Sequence, residues 1–483
     1  MMIAVLVIEI MLIAFVLTLD ILPGKYIVAL VAGIIVIDCL MIWLINDRKP
    51  KSKKRLIGAI LCGVMIVCSC VGSYFAYDTY KTMEIISAKM NQTITYDVVV
   101  LKDSVYEDLD DIEGQTVYSV KSGKDTYAQA KQKLESSVDM TLEETTGCMD
   151  AGEKLVSLTG IKQDNILFIS DPEYDMTDDI IQGFKKETKV IHKITVKLPY
   201  ESSDNIDVLH DSFNVLISGI DSRGEISDVA RSDVNMIVTV NPQTRTILLT
   251  SIPRDAYVPL HTYGEYDKLT HTGIYGVEET LSTVEDWLDI DLNYYVKVNF
   301  SMVVGLVNAI DGITLYNEEE FQSSIAPYWY KKGWITMHGK KTLYYARERK
   351  WFEGGDARRT THQQKVMEAI IKKVSSSEVI LTHYTDILAV VSENMTMNLT
   401  DRELKALARM QLSDMDTKWT IEMANIKCEE AERGTFSMGM GRMLFVNIPK
   451  EESVEKVKEK IHDVMYPAET EETDDVTDLL QGN

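Results

Sequence analysis

Three long apolar runs open the chain, and shorter alternating runs of apolar and polar residues follow them. The long runs are Met2–Leu19, Tyr26–Ile45 and Leu56–Phe75. Each is close to the ~20 residues that a helix needs to cross a bilayer. Only Glu9 and Asp38 interrupt them. A signal peptide would be one shorter run with a cleavage site, so this pattern predicts three helices that stay in the membrane.

The link between the second and third runs, residues 46–55, is strongly basic, with six Lys and Arg residues. The link between the first and second runs has only Lys25 against Asp20. Basic loops favour the cytoplasmic side, so residues 46–55 are predicted there and everything after about residue 77 outside the cell. The formal net charge of −24 argues against binding nucleic acid through a general basic field.

The next region, residues 77–200, alternates short strands with short helices, which predicts a small α/β accessory domain. Its opening, VVVLKDSVYEDLDDIEGQTVYSVKSG, resembles a half-lobe of a periplasmic solute-binding protein. We expect a spacer or a protein-docking module rather than a ligand receptor. Outside the apolar runs only Cys148 and Cys428 remain, and they are predicted either as a disulfide or as two free thiols.

The polar, acidic stretch 201–212 reads as a linker, and three apolar β-branched runs follow it. These runs are Phe213–Ile220, Val234–Val240 and Thr246–Ile252, and their length and composition predict strands. Beyond Asp255, helices and strands alternate again. The C-terminal helix is predicted at Glu451–Met465, and the acidic residues 466–483 are predicted to be disordered.

Charged residues collect where the three strands stop, and binding groups in α/β sheets lie at such strand ends. These residues are Asp221, Arg223, Arg231, Asp233, Arg254 and Asp255. Carboxylates beside arginines suit an anionic ligand held by guanidinium groups together with a divalent metal. A set of surface ion pairs around a sheet explains the same local pattern, and spacing alone does not separate the two interpretations.

The order of short motifs along the chain is more specific than any one of them. GIDSR, RSD, SIPRD, KLTH and YARERKWFEGGDARR followed by QQ occur in sequence between Phe213 and Val374. This order resembles the LytR–CpsA–Psr (LCP) family of Gram-positive cell-wall enzymes. The resemblance implies an α/β/α catalytic domain with a central mixed sheet, assigned to residues 213–465, after three transmembrane helices (1–76), the accessory domain and the linker.

The resemblance also implies roles for individual residues. Asp221 and Asp233 match magnesium-binding carboxylates, with manganese as an alternative ion. Arg254, Asp255 and Asp356 are implied at the catalytic centre, where either aspartate would act as the general base or only orient an arginine. The positions that match contacts to a pyrophosphate are Arg223, Arg231, Arg254, Lys268, Arg347, Arg349, Arg359 and Gln363.

One departure from the family pattern is His362, which precedes the paired glutamines where an arginine is common. It is expected to weaken one head-group contact. An apolar tunnel for a polyprenyl chain is expected along Phe300–Ile310 or the aromatic run Tyr328, Trp329, Tyr330 and Trp334, although such residues are more often core.

The resemblance implies a membrane-anchored phosphotransferase that moves an anionic glycopolymer, of the teichoic acid or capsule type, from an undecaprenyl-pyrophosphate lipid to peptidoglycan. Its partners would be that lipid-linked polymer, the peptidoglycan acceptor and membrane lipid, at the outer face of a Gram-positive-type cell membrane. Two alternatives stay open: a non-catalytic lipid-pyrophosphate binding or regulatory protein, and a pyrophosphatase acting on the same lipid. The sequence does not identify the polymer.

Overall fold

The computed structural model describes residues 2–46, 52–88, 92–198, 206–220, 230–376, 379, 383–414 and 418–467. The middle of the predicted cytoplasmic loop, the first five residues of the predicted linker and most of the acidic tail lie outside these residues. The boundaries drawn between domains from the sequence therefore stay predictions.

Three helices begin the described chain at the positions predicted from the apolar runs, and all three are long and apolar enough to cross a membrane. The third continues well past its apolar part. The three helices are α1 (Met2–Leu19), α2 (Gly24–Ile45) and α3 (Lys53–Ala88). Residues of α1 and α2 pack on α3 through a small core of Val5, Met41 and Cys62.

A five-stranded mixed sheet follows, with the strand order β3-β2-β4-β1-β5. Apolar residues of β1 alternate between two clusters, so helices or other chain segments cover both faces. The strands are β1 (Gln92–Leu101), β2 (Thr116–Val120), β3 (Thr141–Thr145), β4 (Ile166–Ser170) and β5 (Thr188–Leu198); the helices are α4 (Asp125–Ser137), α5 (Cys148–Glu153), α6 (Asp171–Ile180) and α7 (Phe184–Glu187).

Helices α6 and α7 are separated by a break at Gly183, where φ is +83°. Helix α6 begins directly after β4. Ser170 and Glu173 form a capping box there, with reciprocal side-chain to backbone hydrogen bonds that satisfy the first free N–H groups.

The central mixed sheet predicted from the family resemblance is present, with six strands in the order β16-β11-β6-β7-β8-β17. Strand β6 is parallel to β11 and β8 is parallel to β17, whereas β7 runs antiparallel to both its neighbours. The strands are β6 (Phe213–Ile220), β7 (Val234–Asn241), β8 (Thr246–Ile252), β11 (Tyr294–Asn299), β16 (Met395–Met397) and β17 (Thr420–Asn425).

Helices cover both faces of this sheet and produce three layers. On one face Leu216, Ile237 and Leu248 pack with Val284 and Val457. The next residues along the strands point to the other face, as the period of two requires. The helices of this region are α8 (Leu269–Thr272), α9 (Val277–Leu288), α10 (Phe300–Ala309), α11 (Gly339–Arg347), α12 (Gly355–Val374), α13 (Tyr384–Asn394), α14 (Asp401–Ser413) and α15 (Glu451–Met465).

Four small two-stranded sheets surround this core, and their edge positions explain why several were not predicted. Their strands are short or rich in charged residues. They are β9 (Tyr257–Pro259) with β10 (Tyr266–Lys268), β12 (Ile313–Asn317) with β15 (Gly333–Met337), β13 (Phe321–Gln322) with β14 (Trp329–Tyr330), and β18 (Cys428–Thr435) with β19 (Gly439–Pro449).

The turn between α1 and α2 packs against the six-stranded region. Asp20 forms an ion pair with Arg409, and Lys25 Nζ donates to the Ser413 carbonyl oxygen at 2.7 Å. Ile21 is buried in the same cluster as Leu412. This turn and the six-stranded sheet therefore lie on the same side of the three helices.

Cys148 and Cys428 are both free thiols, so the disulfide alternative is not realised. Burial raises the pKa of each thiol, that of Cys428 to about 12.

Candidate functional site

Strand register brings Asp233 and Arg254 together at one edge of the six-stranded sheet. Asn235 on β7 pairs with Ile252 on β8, and each charged residue lies two positions beyond this pair, just outside its strand. The Arg254 Nη1 donates to Asp233 Oδ1 at 2.5 Å. Asp233 N also donates to the Gly219 carbonyl oxygen at 2.8 Å, near the end of β6.

Asp255 holds two cations with its two oxygens. Lys268 Nζ donates to Oδ1 at 3.0 Å, and Arg254 Nε donates to Oδ2 at 3.3 Å. Burial acts to raise the pKa of this carboxyl, but Lys268 and Arg254 outweigh it and hold the pKa below its ordinary value. A carboxylate in this state is a weak base and a good positioning group.

The first turn of α12 adds a second ion pair to the site, between Arg359 and Asp356. Arg359 Nη2 donates to Asp356 Oδ1 at 2.7 Å, and the arginine is only 8% exposed. Burial lowers the pKa of Arg359, with Asp356 opposing that effect. Arg359 Nε is buried without a hydrogen-bond partner among the described residues. An unsatisfied buried guanidinium donor is costly and points to a ligand in the neighbouring space.

Asp233, Arg254 and Arg359 line a cavity of about 350 Å³, which we call the first cavity. Four arginines reach it, against one carboxylate, and it therefore has a surplus of positive charge. Its lining residues are Asp233, Val234, Arg254, Phe300, Ser324, Ile325, Arg347, Arg349, Lys350, Arg359 and Gln363.

A second cavity, of about 380 Å³, adjoins the first at Arg254, Arg349 and Lys350. Its five remaining lining residues are two carboxylates, one further cation, a glycine and an aromatic residue. They are Asp255, Lys268, Gly355, Asp356 and Phe445.

Glu348 was not predicted as a site residue, and it joins two chain segments that line the first cavity. This carboxylate is fully buried and accepts hydrogen bonds from Ser324 N at 2.6 Å, Ser324 Oγ at 2.8 Å and Trp351 N at 3.1 Å. Glu348 lies between Arg347 and Arg349, both of which line the first cavity. A charged residue between two arginines was visible in the sequence, but its partner Ser324 is distant along the chain.

Of the predicted site residues, two are not described and one lies apart from both cavities. Asp221 and Arg223 lie outside the described residues. Arg231 lines neither of the two cavities; its Nη1 pairs instead with Asp179 Oδ2 of α6 at 2.8 Å. In this structure Arg231 links the two α/β regions, and its contact with a pyrophosphate stays a prediction.

His362 does not face the first cavity, so its expected effect on a head-group contact is not supported. The ring stacks on Tyr345, with centroids 4.3 Å apart, and Nδ1 lies 3.2 Å from the Tyr345 carbonyl oxygen. Burial lowers the pKa of His362 to about 4, so the side chain is neutral near pH 7. The next residue, Gln363, lines the first cavity.

The expected tunnel residues divide into core and surface. Val307 and Tyr330 are fully buried in one apolar cluster, whereas Trp329 and Trp334 are exposed. Phe300, the first residue of α10, is the member that reaches the first cavity, where Arg347 lies 4.4 Å above its ring.

Comparison with known proteins finds similar chains. The chain is 38% identical over 192 residues to the polyisoprenyl-teichoic acid–peptidoglycan teichoic acid transferase TagU of Bacillus licheniformis, covering 40% of this chain and 61% of the relative. It is 39% identical over 191 residues to TagU of Bacillus subtilis, covering 39% and 61%. The chain thus spans about 61% of the length of these curated relatives. The crystal structure of B. subtilis TagV matches 53% of this chain and 97% of its own, at 28% identity and a TM-score of 0.45.

The family model for LytR_cpsA_psr matches residues 176–462, which is more than half of the chain. That range begins within α6, contains the six-stranded sheet and includes every described residue of both cavities. The protein is a member of the LytR–CpsA–Psr family.

Proposed function

We propose that this protein is a membrane-anchored phosphotransferase that moves an anionic glycopolymer from a polyprenyl-pyrophosphate lipid to peptidoglycan and releases the lipid phosphate. The observation that carries the proposal is the first cavity, where Arg254, Arg347, Arg349 and Arg359 converge on a space that Asp233 neutralises only in part. The printed activity of the TagU relatives, transfer of polyisoprenyl-linked teichoic acid to peptidoglycan, supports it.

A pyrophosphate fits this cavity because guanidinium groups bind phosphate oxygens through paired N–H donors. Arg254 is fixed at two points, by Asp233 and Asp255, and Arg359 is fixed by Asp356. Arginines held in advance lose little entropy on binding and stabilise the charge that develops during phosphoryl transfer. The unpartnered Nε of Arg359 would donate to a phosphate oxygen.

The general base in this proposal is Asp356 rather than Asp255. Both oxygens of Asp255 already accept from cations, and its pKa is held below the ordinary value. Asp356 lines the second cavity and accepts one bond from Arg359. Asp255 then acts as a positioning residue for Arg254 and Lys268.

A magnesium ion fits the donor set near Asp233, and Asp221 would be its second protein ligand. Asp233 lines the first cavity, and Asp221 directly follows Ile220, the last residue of β6. The described residues contain no group of three His, Cys, Asp or Glu side chains able to hold a metal. Magnesium uses few carboxylates and takes its other ligands from phosphate and water, so two aspartates suffice. When bound, the ion would neutralise pyrophosphate charge.

The test is release of lipid phosphate by the full chain in detergent from a polyprenyl-pyrophosphate glycan, with magnesium or EDTA and with or without peptidoglycan oligomers. We expect glycan linked to peptidoglycan, with EDTA reducing the rate. Phosphate release without linkage in the presence of acceptor would support the pyrophosphatase alternative. Lipid binding with no turnover under any condition would support the binding-protein alternative.

We further propose that the six-stranded sheet lies outside the cell. Supporting this, the α1–α2 turn contacts that sheet region through Asp20 and Lys25, whereas the basic residues 46–55 belong to the other end of the helices. In a chain without its native cysteines, Lys25→Cys should react with a membrane-impermeant thiol reagent in intact cells. Ser52→Cys should react only after permeabilisation, and the opposite pattern would reverse the proposed orientation.

A further inference from the structure

The second cavity has a composition that the pyrophosphate does not explain. Pyrophosphate needs cations, and the first cavity supplies four arginines against one carboxylate. The second cavity shares Arg254, Arg349 and Lys350 with the first and has Lys268 as a further cation, but it also adds two carboxylates, Asp255 and Asp356, and the ring of Phe445, which is 43% exposed. Carboxylates beside an open aromatic ring suit a neutral polyhydroxylated ligand, since hydroxyls donate to carboxylates and the C–H groups of a sugar face pack on a ring.

We infer that the second cavity is the acceptor site, where Phe445 stacks against a sugar ring of the glycan strand that receives the polymer. This inference rests on the proposed function. It adds a site for the second substrate and names the residue that would recognise it.

The in-line geometry of phosphoryl transfer supports placing the acceptor in the second cavity. In phosphoryl transfer the attacking and leaving oxygens are roughly in line, so the acceptor approaches from the side away from the lipid phosphate. The first cavity reaches Phe300 at the start of the apolar helix α10, which suits the lipid side. The second cavity meets the first at Arg254 and Arg349 and extends toward Asp356 and Phe445.

The chemical step then balances with groups already described. The acceptor hydroxyl oxygen forms a bond to the phosphorus that carries the sugar polymer. The bond from that phosphorus to the lipid phosphate oxygen breaks, and its electron pair leaves with the lipid phosphate. The hydroxyl proton passes to Asp356, which lines the second cavity and not the first.

The backbone explains why Phe445 reaches this position. Strand β19 forms a parallel bridge from Asn447 to Ala256, and Asn447 N donates to the Asp255 carbonyl oxygen at 2.8 Å. Tyr257 donates to the Gly434 carbonyl oxygen on the partner strand β18 at 2.9 Å. The hairpin is thus fixed beside Asp255, and Phe445, two residues before Asn447, is held at the cavity edge.

The experiment compares Phe445→Ala, Phe445→Tyr and Trp334→Ala in the full chain, with a polyprenyl-pyrophosphate glycan as donor and peptidoglycan oligomers as acceptor. Trp334 is the matched control, since it is an exposed aromatic residue, 74% accessible, that lines neither cavity. Thermal melting of each variant checks folding.

For Phe445→Ala we expect the KM for the acceptor to rise about tenfold and the KM for the donor to change less than about twofold, with a larger share of the donor lost to water. Phe445→Tyr should keep the acceptor KM near the wild-type value, because the aromatic ring is retained. Trp334→Ala should have wild-type KM values for both substrates. An unchanged acceptor KM in a folded Phe445→Ala variant, or an equal loss for donor and acceptor, would overturn the acceptor site alone. If the wild-type protein releases lipid phosphate but never links glycan to peptidoglycan, the proposed function is overturned, and this inference with it.

Discussion

Asp97 in the five-stranded sheet and Arg359 beside the six-stranded sheet are both nearly buried charged residues, 1% and 8% exposed. Asp97 accepts from Lys193 Nζ through both oxygens, at 3.0 and 3.1 Å, and the same Lys193 reaches Asp171 at 3.3 Å. Arg359 has one ionic partner, Asp356, and keeps a buried Nε without a hydrogen-bond partner among the described residues.

The surroundings of these two residues extend the contrast. Around Asp97, charges of opposite sign meet within one sheet and its adjoining helix. Around Arg359, six cations line the two cavities against three carboxylates. Buried charges that compensate each other locally are typical of structure, whereas a surplus of one sign next to a cavity indicates a site for a ligand of the other sign.

The strongest test of this contrast is Arg254→Ala. It removes one of the three cations that both cavities share, and loss of one preorganised charge-stabilising donor typically lowers turnover about 10²–10³-fold. We expect that loss in the transfer assay. Arg254→Lys should recover only part of it, because one ammonium group does not reproduce the two contacts to Asp233 and Asp255.

The matched control for Arg254 is Arg433→Ala, since Arg433 is an exposed arginine on β18 that lines neither cavity. It should retain wild-type activity. The Arg254→Ala variant leaves Asp233 without its bonded arginine, which could destabilise the fold. Thermal melting therefore distinguishes a loss of catalysis from a loss of folding. Wild-type turnover by a folded Arg254→Ala protein would remove the catalytic role proposed here.

Much of the fold was predictable because its central strands carry strong local signals. Strands β6, β7 and β8 are apolar and β-branched, and their bounds differ from the prediction by at most one residue. Strands β3 and β18 were missed because their sequences, TLEET and CEEAERGT, are rich in charge and lie at sheet edges. Edge strands bury little apolar surface, so they lack the periodicity on which prediction depends.

The site was predictable in composition but not in pairing. The sequence places Asp233, Arg254 and Arg359 in a motif order typical of the family, and the structure gathers them at one cavity. The sequence does not reveal that Arg231 pairs with Asp179, because that contact joins the two sheet regions. Long-range pairing depends on how elements pack, which local spacing does not encode.

The paired glutamines on α12 offer a smaller test of the same contrast between ligand and structural groups. Gln363 lines the first cavity, whereas Gln364 Nε2 donates to the carbonyl oxygens of Leu249 at 2.9 Å and Ala424 at 2.7 Å. Successive helix residues point about 100° apart, so neighbours of one type take different roles.

Gln363→Ala should raise the donor KM about threefold to tenfold and leave the melting temperature near the wild-type value, since it removes one polar contact to the ligand. Gln364→Ala should instead lower the free energy of unfolding by about 1–3 kcal/mol, because two buried carbonyl groups lose their donor. Steady-state kinetics and denaturant unfolding of the two variants distinguish these outcomes. Equal effects on KM and stability in both variants would contradict the division of roles.

The smallest expected effect concerns Asp97, which pairs with Lys193 inside the five-stranded sheet. Burial, with a contribution from Asp171, raises the pKa of Asp97 to about 7 despite the contact with Lys193. A carboxyl whose pKa is raised by folding stabilises the folded state fully below its unfolded pKa, and this stabilisation is lost as the pH rises through about 7. We therefore expect hydrogen exchange of the β1 amides to quicken between about pH 4 and pH 7 beyond the intrinsic chemical dependence. Asp97→Asn should flatten that dependence and leave the kinetics of transfer unchanged, because Asp97 lines neither cavity. An Asp97→Asn protein with the wild-type pH slope would show that this buried carboxyl is not the titrating group, and a lost transfer activity would show that the two sheet regions are coupled in function.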